Sequence, residues 1–463
     1  MIGDTIAAIS TPPGEGGIGI VRISGPEAID ITNKIFKPAK NKRWYKQNYK
    51  LNYGYIHDPD NSQIIDEVLV GIMRAPFSYT KEDVIEINCH GGMLPLRKTL
   101  ELVLKKGARL AEPGEFTKRA FLNGRLDLIQ AESIIDIIRA NTEDSMRLAI
   151  GQLSGGLSKK INEIQQQLLL IISIIEANID FPEDDVDQYN LIEIKQRVEL
   201  LEQEINNLLD YAETGRIYRE GLRTVIIGKP NVGKSSLLNV LSKVNRAIVT
   251  NIPGTTRDLI EEVINIGGVP IKIIDTAGIR ETEDIIEKIG VQKTKESIQN
   301  ADLVILVFDA QVGFDFIDNQ IVELVKHKKG IKVINKIDVI KNKNEFNTKQ
   351  KVRNLLPHWP LIDISALEEK GIDKLKNEIV SIITGGKVIP QDNIMISNIR
   401  HKNQLVKAVN YLKDVQNGIL QGIAIDVLAI DIRGAWEAVG EITGTAVNEN
   451  IIDKIFSEFC IGK

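Results

Sequence analysis

Gly228-Lys229-Pro230-Asn231-Val232-Gly233-Lys234-Ser235 constrains this chain more than any other stretch. It fits G-x-x-x-x-G-K-[ST], a pattern in which successive backbone N–H groups and a helix N-terminus face a polyphosphate. Thr224-Val225-Ile226-Ile227 before it is an apolar, β-branched run that reads as a buried strand, and Ser236-Leu237-Leu238 after it opens a helix. Strand, glycine loop and helix start are the context such a loop needs. Lys234 is placed to reach the β- and γ-phosphates and Ser235 to ligate Mg²⁺, with Asn231, Val232, Gly233 and Ser236 completing the cradle.

The 463 residues are enough for roughly two to four domains. A net charge of −5 gives no global basic field, so any RNA contact has to use a local basic patch. Two cysteines far apart in sequence, Cys89 and Cys460, are no disulfide framework and suit a reducing compartment. Cys89-His90 lacks a second ligand pair and reads as structural. No apolar run reaches membrane-spanning length, and Met1-Ile2-Gly3-Asp4 does not open a secretory leader. The expected location is therefore cytoplasmic, away from membranes.

Residues 1–117 read as an α+β unit. Ile18–Ser24 and Val68–Met73 have strand character, Asp83–Asn88 alternates apolar and polar, and Met93–Lys105 has helical spacing that stops at Gly107. From 118 to 218 the period becomes 3.6. Ile161, Ile164, Leu168, Ile171 and Ile175 form one stripe; Ile194, Val198, Leu201, Ile205 and Leu208 form another, beyond the acidic loop Phe181-Pro182-Glu183-Asp184-Asp185. Strands return between 219 and 385 at Ile271–Ile274, Leu303–Val307 and Lys332–Ile334, as in a mostly parallel sheet covered on both faces. Residues 386–463 are helical again, with Leu405, Ala408, Leu412, Val415 and Ile419 in register. The expected fold is multidomain α/β plus α, with a P-loop α/β domain inserted into a helical bundle whose halves share one core.

Further motifs follow the phosphate loop in order. Gly254-Thr255-Thr256-Arg257-Asp258 lies where a switch loop would sit. Asp275-Thr276-Ala277-Gly278 follows a strand; its Asp would hold Mg²⁺ through water and its Gly N–H would sense the γ-phosphate. Asn335-Lys336-Ile337-Asp338 follows another strand, and Asp338 offers two carboxylate oxygens to the paired N–H donors of guanine, which adenine lacks. Ser365-Ala366 could present a backbone N–H to the guanine oxygen. Together they resemble the Ras-like GTPases. Ile279 follows Gly278, where a Ras-like Gln orients the attacking water. Isoleucine forms no such bond. Asn231 could coordinate a monovalent cation beside the phosphates or be only a turn residue tolerating a left-handed backbone. Glu287 could position water or be one carboxylate on a solvated helix face.

The Gly-Thr-Thr-Arg-Asp switch, the run Asp275–Glu281, Arg119-Ala120-Phe121-Leu122-Asn123-Gly124 and the terminal Cys460-Ile461-Gly462-Lys463 together resemble the MnmE (TrmE) tRNA-modification GTPase family over essentially the whole chain. The resemblance implies a homodimer formed through residues 1–117, which would bind a 5-formyl- or methylene-tetrahydrofolate. Arg22, Glu82, Arg125 and Lys463 fall at the folate-contact positions. It implies Mg²⁺ at Ser235 and Thr256, K⁺ at Asn231 and the carbonyls of Thr250 and Ile252, and Glu287 as the catalytic glutamate. It implies an FAD-containing partner, MnmG, and modification at C5 of the tRNA wobble uridine, with GTP as substrate. Cys460 is either a nucleophile or proton relay near the folate or a small residue near a chain end. A GTPase switch in ribosome or RNA assembly, with domains that only bind partners, is the competing function.

Overall fold

The computed structural model describes residues 3–40, 43–180, 187–243, 262–274, 289–312, 314–339, 344–385 and 394–463. The first unit contains strands β1 (Ile6–Ile9), β2 (Gly16–Ser24), β3 (Phe36–Pro38), β4 (Leu51–His57), β5 (Ile64–Met73), β6 (Val84–Gly91) and β7 (Arg109–Leu110). They form a seven-stranded sheet in the order β3-β4-β5-β6-β2-β1-β7, antiparallel except where β7 joins β1. Alternation sets its two faces. Asn52, Gly54 and Ile56 of β4 and Val68, Val70 and Ile72 of β5 point inward, while Leu51, Tyr53 and Leu69 point out. Helices Ala28–Ile35 and Met93–Lys105 cover the inner face through Ile31, Ile35, Leu96 and Val103.

The second sheet contains β8 (Leu222–Ile227), β9 (Glu262–Ile266), β10 (Val269–Ile273), β11 (Leu303–Asp309), β12 (Gly330–Asn335) and β13 (Leu361–Asp363). Its order is β13-β12-β11-β8-β10-β9, parallel except for the β9–β10 pair. Helices Lys234–Lys243 and Ile372–Thr384 cover one face; Ile289–Asn300, Phe316–Val325 and Asn344–Asn354 cover the other. Strands covered on both faces must be buried along their whole length, and β11 and β12 are. Even Lys332 obeys: its Nζ donates to the carbonyls of Arg353 (3.2 Å), in the last turn of the helix Asn344–Asn354, and of Leu355 (2.6 Å) and Leu356 (3.1 Å) just beyond it.

Helices Gly156–Asp180 and Asp187–Leu209 precede this sheet in the chain; Ile399–Gln421 and Ile425–Thr443 follow it. Their stripes close one core, with Ile161, Ile164, Leu168, Ile194, Val198 and Leu201 packed among Leu405, Ala408, Leu412 and Ile432. The α/β sheet is thus inserted between two halves of one helical core, as the periodicity requires.

The joint between them is ionic as well as apolar. Buried Glu132, on helix Leu128–Arg139, accepts from His401 Nε2 (2.7 Å), Arg400 Nη2 (2.8 Å), Arg400 Nε (3.0 Å) and Asn398 Nδ2 (3.1 Å). One turn on, Asp136 accepts from Arg219 Nε at 2.8 Å, on the helix Ala212–Glu220 that leads into β8. Burial alone would raise the Glu132 carboxyl, but His401 and Arg400 outweigh it and hold the group at about 2, against an ordinary 4.5. Burial pushes the His401 imidazole down, against the pull of Glu132.

Both shifts have the same sign for stability. Above about pH 4.5 the Glu132 contribution is complete, and it is lost as pH falls towards 2. Below 6.5 the unfolded His401 takes up a proton that the folded one resists. Glu132→Gln is expected to lower stability by about 3–5 kcal/mol at pH 7, because Arg400 loses its counter-charge in a buried site. Thermal melts of both proteins from pH 7 to pH 3 check this: the gap should narrow with acid, and a constant gap would refute the ionic account.

Candidate functional site

The phosphate loop, Asn335–Asp338 and Ser365-Ala366 all lie at the carboxyl ends of parallel strands, after β8, β12 and β13. The side chains of Asn335 and Lys336 hold this end together. Asn335 is buried; its Nδ2 donates to the Val232 carbonyl at 2.9 Å, and its Oδ1 accepts from the Ala366 N–H at 3.0 Å. Lys336 Nζ donates to the Asn231 carbonyl at 2.7 Å and pairs with Asp309 at 2.7 Å. Lys229 Nζ meets Asp315 at 3.0 Å and Asp318 at 2.7 Å, tying the loop's outer limb to the helix Phe316–Val325. Lys234 Nζ donates to the carbonyls of Gly228 (3.0 Å) and Lys229 (2.8 Å), and burial pushes its pKa down.

Asn231 is exposed with φ 62°, in the left-handed region that its turn reading predicts. Ser235 and Ser236 are exposed at the start of helix Lys234–Lys243, where a hydroxyl can serve as a hard-cation donor. Asp338 is exposed and accepts from Ser365 Oγ. One detail differs from the sequence reading: the Ala366 N–H is engaged by Asn335, so contact with a guanine oxygen requires sharing or releasing it. Thr250, Ile252, Thr255, Thr256, Asp275, Thr276, Ala277, Gly278 and Glu287 lie outside the described residues.

A second cluster forms where the chain end returns to the first sheet. The Phe116 N–H donates to the Lys463 carbonyl at 3.2 Å, and the Gly114 N–H to the Cys460 carbonyl at 3.4 Å. Gly462 has φ 91°, and a Cβ there would stand 2.4 Å from the Ile9 carbonyl oxygen, so only glycine lets the tail lie this close to β1. Arg22 Nη1 donates to the Gly462 carbonyl at 3.2 Å, while its Nε and Nη2 bind Glu86 at 2.9 and 2.8 Å. Arg22 and Arg125 both stack on the Tyr79 ring, 5.7 and 4.8 Å from its centroid. Glu82 accepts from Ser24 Oγ at 2.7 Å and from buried Arg119 at 3.2 Å. The tail therefore places Lys463 and exposed Cys460 in the same region as Arg22, Glu82 and Arg125. Two guanidiniums on an aromatic ring suit a flat, anionic ligand.

Two family profiles match this chain. One described as "GTP-binding protein TrmE N-terminus" covers residues 5–125, and one described as "MnmE helical domain" covers residues 128–460. The tRNA modification GTPase MnmE of Desulforamulus reducens is 54% identical over 464 residues, covering 100% of both chains. That of Carboxydothermus hydrogenoformans is 50% identical over 467 residues, again covering 100% of both. The chain belongs to the MnmE family of tRNA modification GTPases. Over 41% of its length it is also similar to a crystal structure of Aquifex aeolicus Era bound to GDP.AlF4-, covering 65% of that chain at 31% identity with a TM-score of 0.29.

As a member of the MnmE family the chain is a GTP hydrolase. Tyr79, Glu86 and Arg119 are residues of the second cluster that sequence reasoning did not find. Arg119 opens the stretch Arg119–Gly124 that resembles the family, but nothing in its spacing shows that it binds Asp4 (2.7 Å), Glu115 (2.9 Å) and Glu82 together. Cys89 is buried with its thiol pushed up to about 11, mainly by burial, and His90 binds Asp66 at 2.6 Å. Among the described residues no group of acidic, His and Cys side chains could hold a metal ion.

Gly233 has φ 95°, and a Cβ there would stand 2.2 Å from Asn335 Nδ2. Gly233→Ala is expected to lose GTP binding by roughly 100-fold or more, the two-step cost of a strained backbone and a broken clamp. Nucleotide titration alongside circular dichroism would check it; tight binding by the variant would refute the clamp.

Proposed function

We propose that this chain couples GTP hydrolysis to tRNA modification. With an FAD-containing partner, MnmG, it adds an aminomethyl or carboxymethylaminomethyl group at C5 of the wobble uridine, drawing the carbon from a formyl- or methylene-tetrahydrofolate. The observation that carries the reading is the chain end: Cys460–Lys463 docks beside Arg22 on the first sheet, in the same protein as the phosphate loop. Residues 1–117 are the folate-binding and dimerisation unit, 118–218 and 386–463 the helical domain, and 219–385 the G domain. The outward face of the first sheet, with exposed Leu51, Tyr53 and Leu69, supports homodimerisation through that unit. No helix among the described residues is long and apolar enough to cross a membrane.

Arg22, Arg125 and Lys463 hold the folate's anionic groups, and Glu82, oriented by Ser24 and Arg119, accepts from its ring nitrogens. Cys460, exposed on the docked tail, serves as nucleophile or proton relay. Ser235 and Thr256 hold Mg²⁺, and Asn231 with the carbonyls of Thr250 and Ile252 holds K⁺. These cations supply positive charge at the phosphates, where Ile279 supplies no water-orienting group and no arginine finger is evident in the sequence. Glu287 positions the attacking water, and Asp338 reads the guanine edge.

Replacing potassium by sodium at fixed ionic strength is expected to cut GTP turnover by about tenfold or more, roughly 1.4 kcal/mol of barrier. Asn231→Ala should abolish that difference and keep nucleotide binding; equal rates in both salts would sink the cation role. Asp338→Asn should weaken GTP by roughly 10- to 100-fold, the loss of a charge-assisted bonded pair, and favour xanthosine triphosphate. Competition binding with both nucleotides decides it, and unchanged GTP preference would remove Asp338 from base recognition.

A further inference from the structure

The chain is acidic overall, yet between Asp30 and Asp58 it contains no acidic residue at all. The same span carries Lys34, Lys37, Lys40, Arg43, Lys46 and Lys50 among its cations. All six are exposed. Among the described residues, Lys34, Lys37, Lys40, Lys46 and Lys50 have no carboxylate within ion-pair distance. Asp60, just beyond the span, is already held by Lys105 and by Lys106 at 3.0 Å. Elsewhere this protein pairs its charges freely, so an unpaired row of lysines stands out as a deliberate local field.

The row is anchored. Trp44 is buried and packs edge-on against Phe36, ring centroids 5.2 Å apart. Arg74 donates to the Tyr45 carbonyl at 2.6 Å, its N–H donates to Asn48 Oδ1 at 3.0 Å, and the Tyr49 N–H donates to the Ile72 carbonyl at 2.9 Å. Lys37 stands on β3, the edge strand, directly opposite Tyr55. Two aromatic side chains at one end of the row are exposed: Tyr49 at 63% and Phe77 at 71%. Tyr49 has φ 56°, a costly conformation for a bulky residue, and its hydroxyl is tied to the Phe77 carbonyl. Phe77 lies on the loop between β5 and β6 that also carries Tyr79 and Glu82 to the cluster around Arg22.

From this we infer that the surface from Lys34 to Lys50, extended by Tyr49 and Phe77, is the RNA-docking face of the protein. The lysines bind consecutive phosphates, and the two exposed rings stack on unpaired bases and lead the strand towards the Arg22–Tyr79–Arg125 cluster. An extended row of unpaired cations needs a polyanion, and exposed aromatics next to it fit single-stranded bases better than an acidic peptide. The inference rests on the tRNA reading proposed above and adds where the RNA lies.

The test uses the full-length chain, an unmodified tRNA transcript and a polyglutamate chain as the competing polyanion, titrated across a potassium chloride series. The variants are Lys37→Gln/Lys46→Gln/Lys50→Gln together, and Tyr49→Ala alone. Losing three phosphate contacts should weaken tRNA binding roughly tenfold or more near physiological salt and lower the salt slope by about 2–3. Tyr49→Ala should weaken it roughly five- to 100-fold with the slope unchanged, as lost stacking requires. GTP turnover should stay at the wild-type level in both, which also reports that they fold. Equal affinity and slope in wild type and triple variant would overturn the inference and leave the tRNA reading standing. Polyglutamate bound as tightly as tRNA, with no effect of Tyr49→Ala, would also overturn it in favour of an acidic protein partner. Absence of tRNA binding by the wild type would overturn it too. The parent reading is judged separately, by mass spectrometry of wobble uridines after incubation with the FAD-containing partner.

Discussion

Neither half of the helical domain can bury its apolar stripe alone, and this shortage organises the molecule. Ile161, Ile164 and Leu168 come before the inserted sheet; Leu405, Ala408 and Leu412 come after it. They close one core only if the chain leaves and re-enters the bundle at one place. It does: Tyr218, on the way out, and Met395, on the way back, belong to the same apolar cluster as β8 and β10. Leu148 of helix Glu143–Leu153 joins them, and Gln152 donates to the Met395 carbonyl at 3.0 Å. The G domain is therefore rooted in the bundle. Arg216 reaches from the exit helix to Asp302 at 3.1 Å, just before β11, so the sheet is gripped by charge as well as by packing.

Periodic features were legible in the sequence. The helical stripes, the strand before the phosphate loop and the existence of β11 and β12 follow from residue spacing, because burial on one or both faces imposes that spacing; the bounds of β11 and β12 do not, since β11 runs on to Asp309 and β12 spans Gly330–Asn335. The shared core of the two helical halves followed from the same logic. Local motifs were legible too, since the phosphate loop and Asn335–Asp338 carry their chemistry in a few consecutive residues. What stayed hidden was the set of contacts made by single residues across long separations. Arg22 and Gly462 are far apart in sequence, and no period links them. Strand β4 was missed because Asn52 and Gly54 occupy its buried face, where an apolar alternation would have marked it. Asn335 read as part of a base-recognition motif, yet its side chain spans the phosphate loop and Ala366, a double role that only the fold displays.

That double role makes the nucleotide end of the sheet one mechanical piece. The Val232 carbonyl, the Ala366 N–H and, through Lys336, the Asn231 carbonyl and Asp309 are bound by two adjacent side chains. A base that shifts the Asn335–Asp338 turn must therefore shift the phosphate loop. Selectivity for the base and geometry at the phosphates are not independent variables in such a site. The Ala366 N–H, engaged by Asn335, is where a base oxygen would have to enter this network.

Buried charge appears at each junction between units. Arg119 binds Asp4, Glu82 and Glu115 beneath the docked chain end; Glu132 binds Arg400 and His401 between bundle halves; Arg219 binds Asp136 beside β8. Desolvation cancels much of the attraction in such clusters, so apolar residues of equal volume would hold the units together at least as well. An ion cluster differs in being intolerant of misplacement, because a displaced partner leaves a buried charge unpaired. At the chain end this matters most. Arg119 fixes Glu82 while Arg22 fixes Gly462, so this cluster is built to one geometry from residues at both ends of the chain. A shift of the tail would break the Arg22–Gly462 bond and crowd Gly462 against the Ile9 carbonyl, so the tail and the first sheet hold one geometry together.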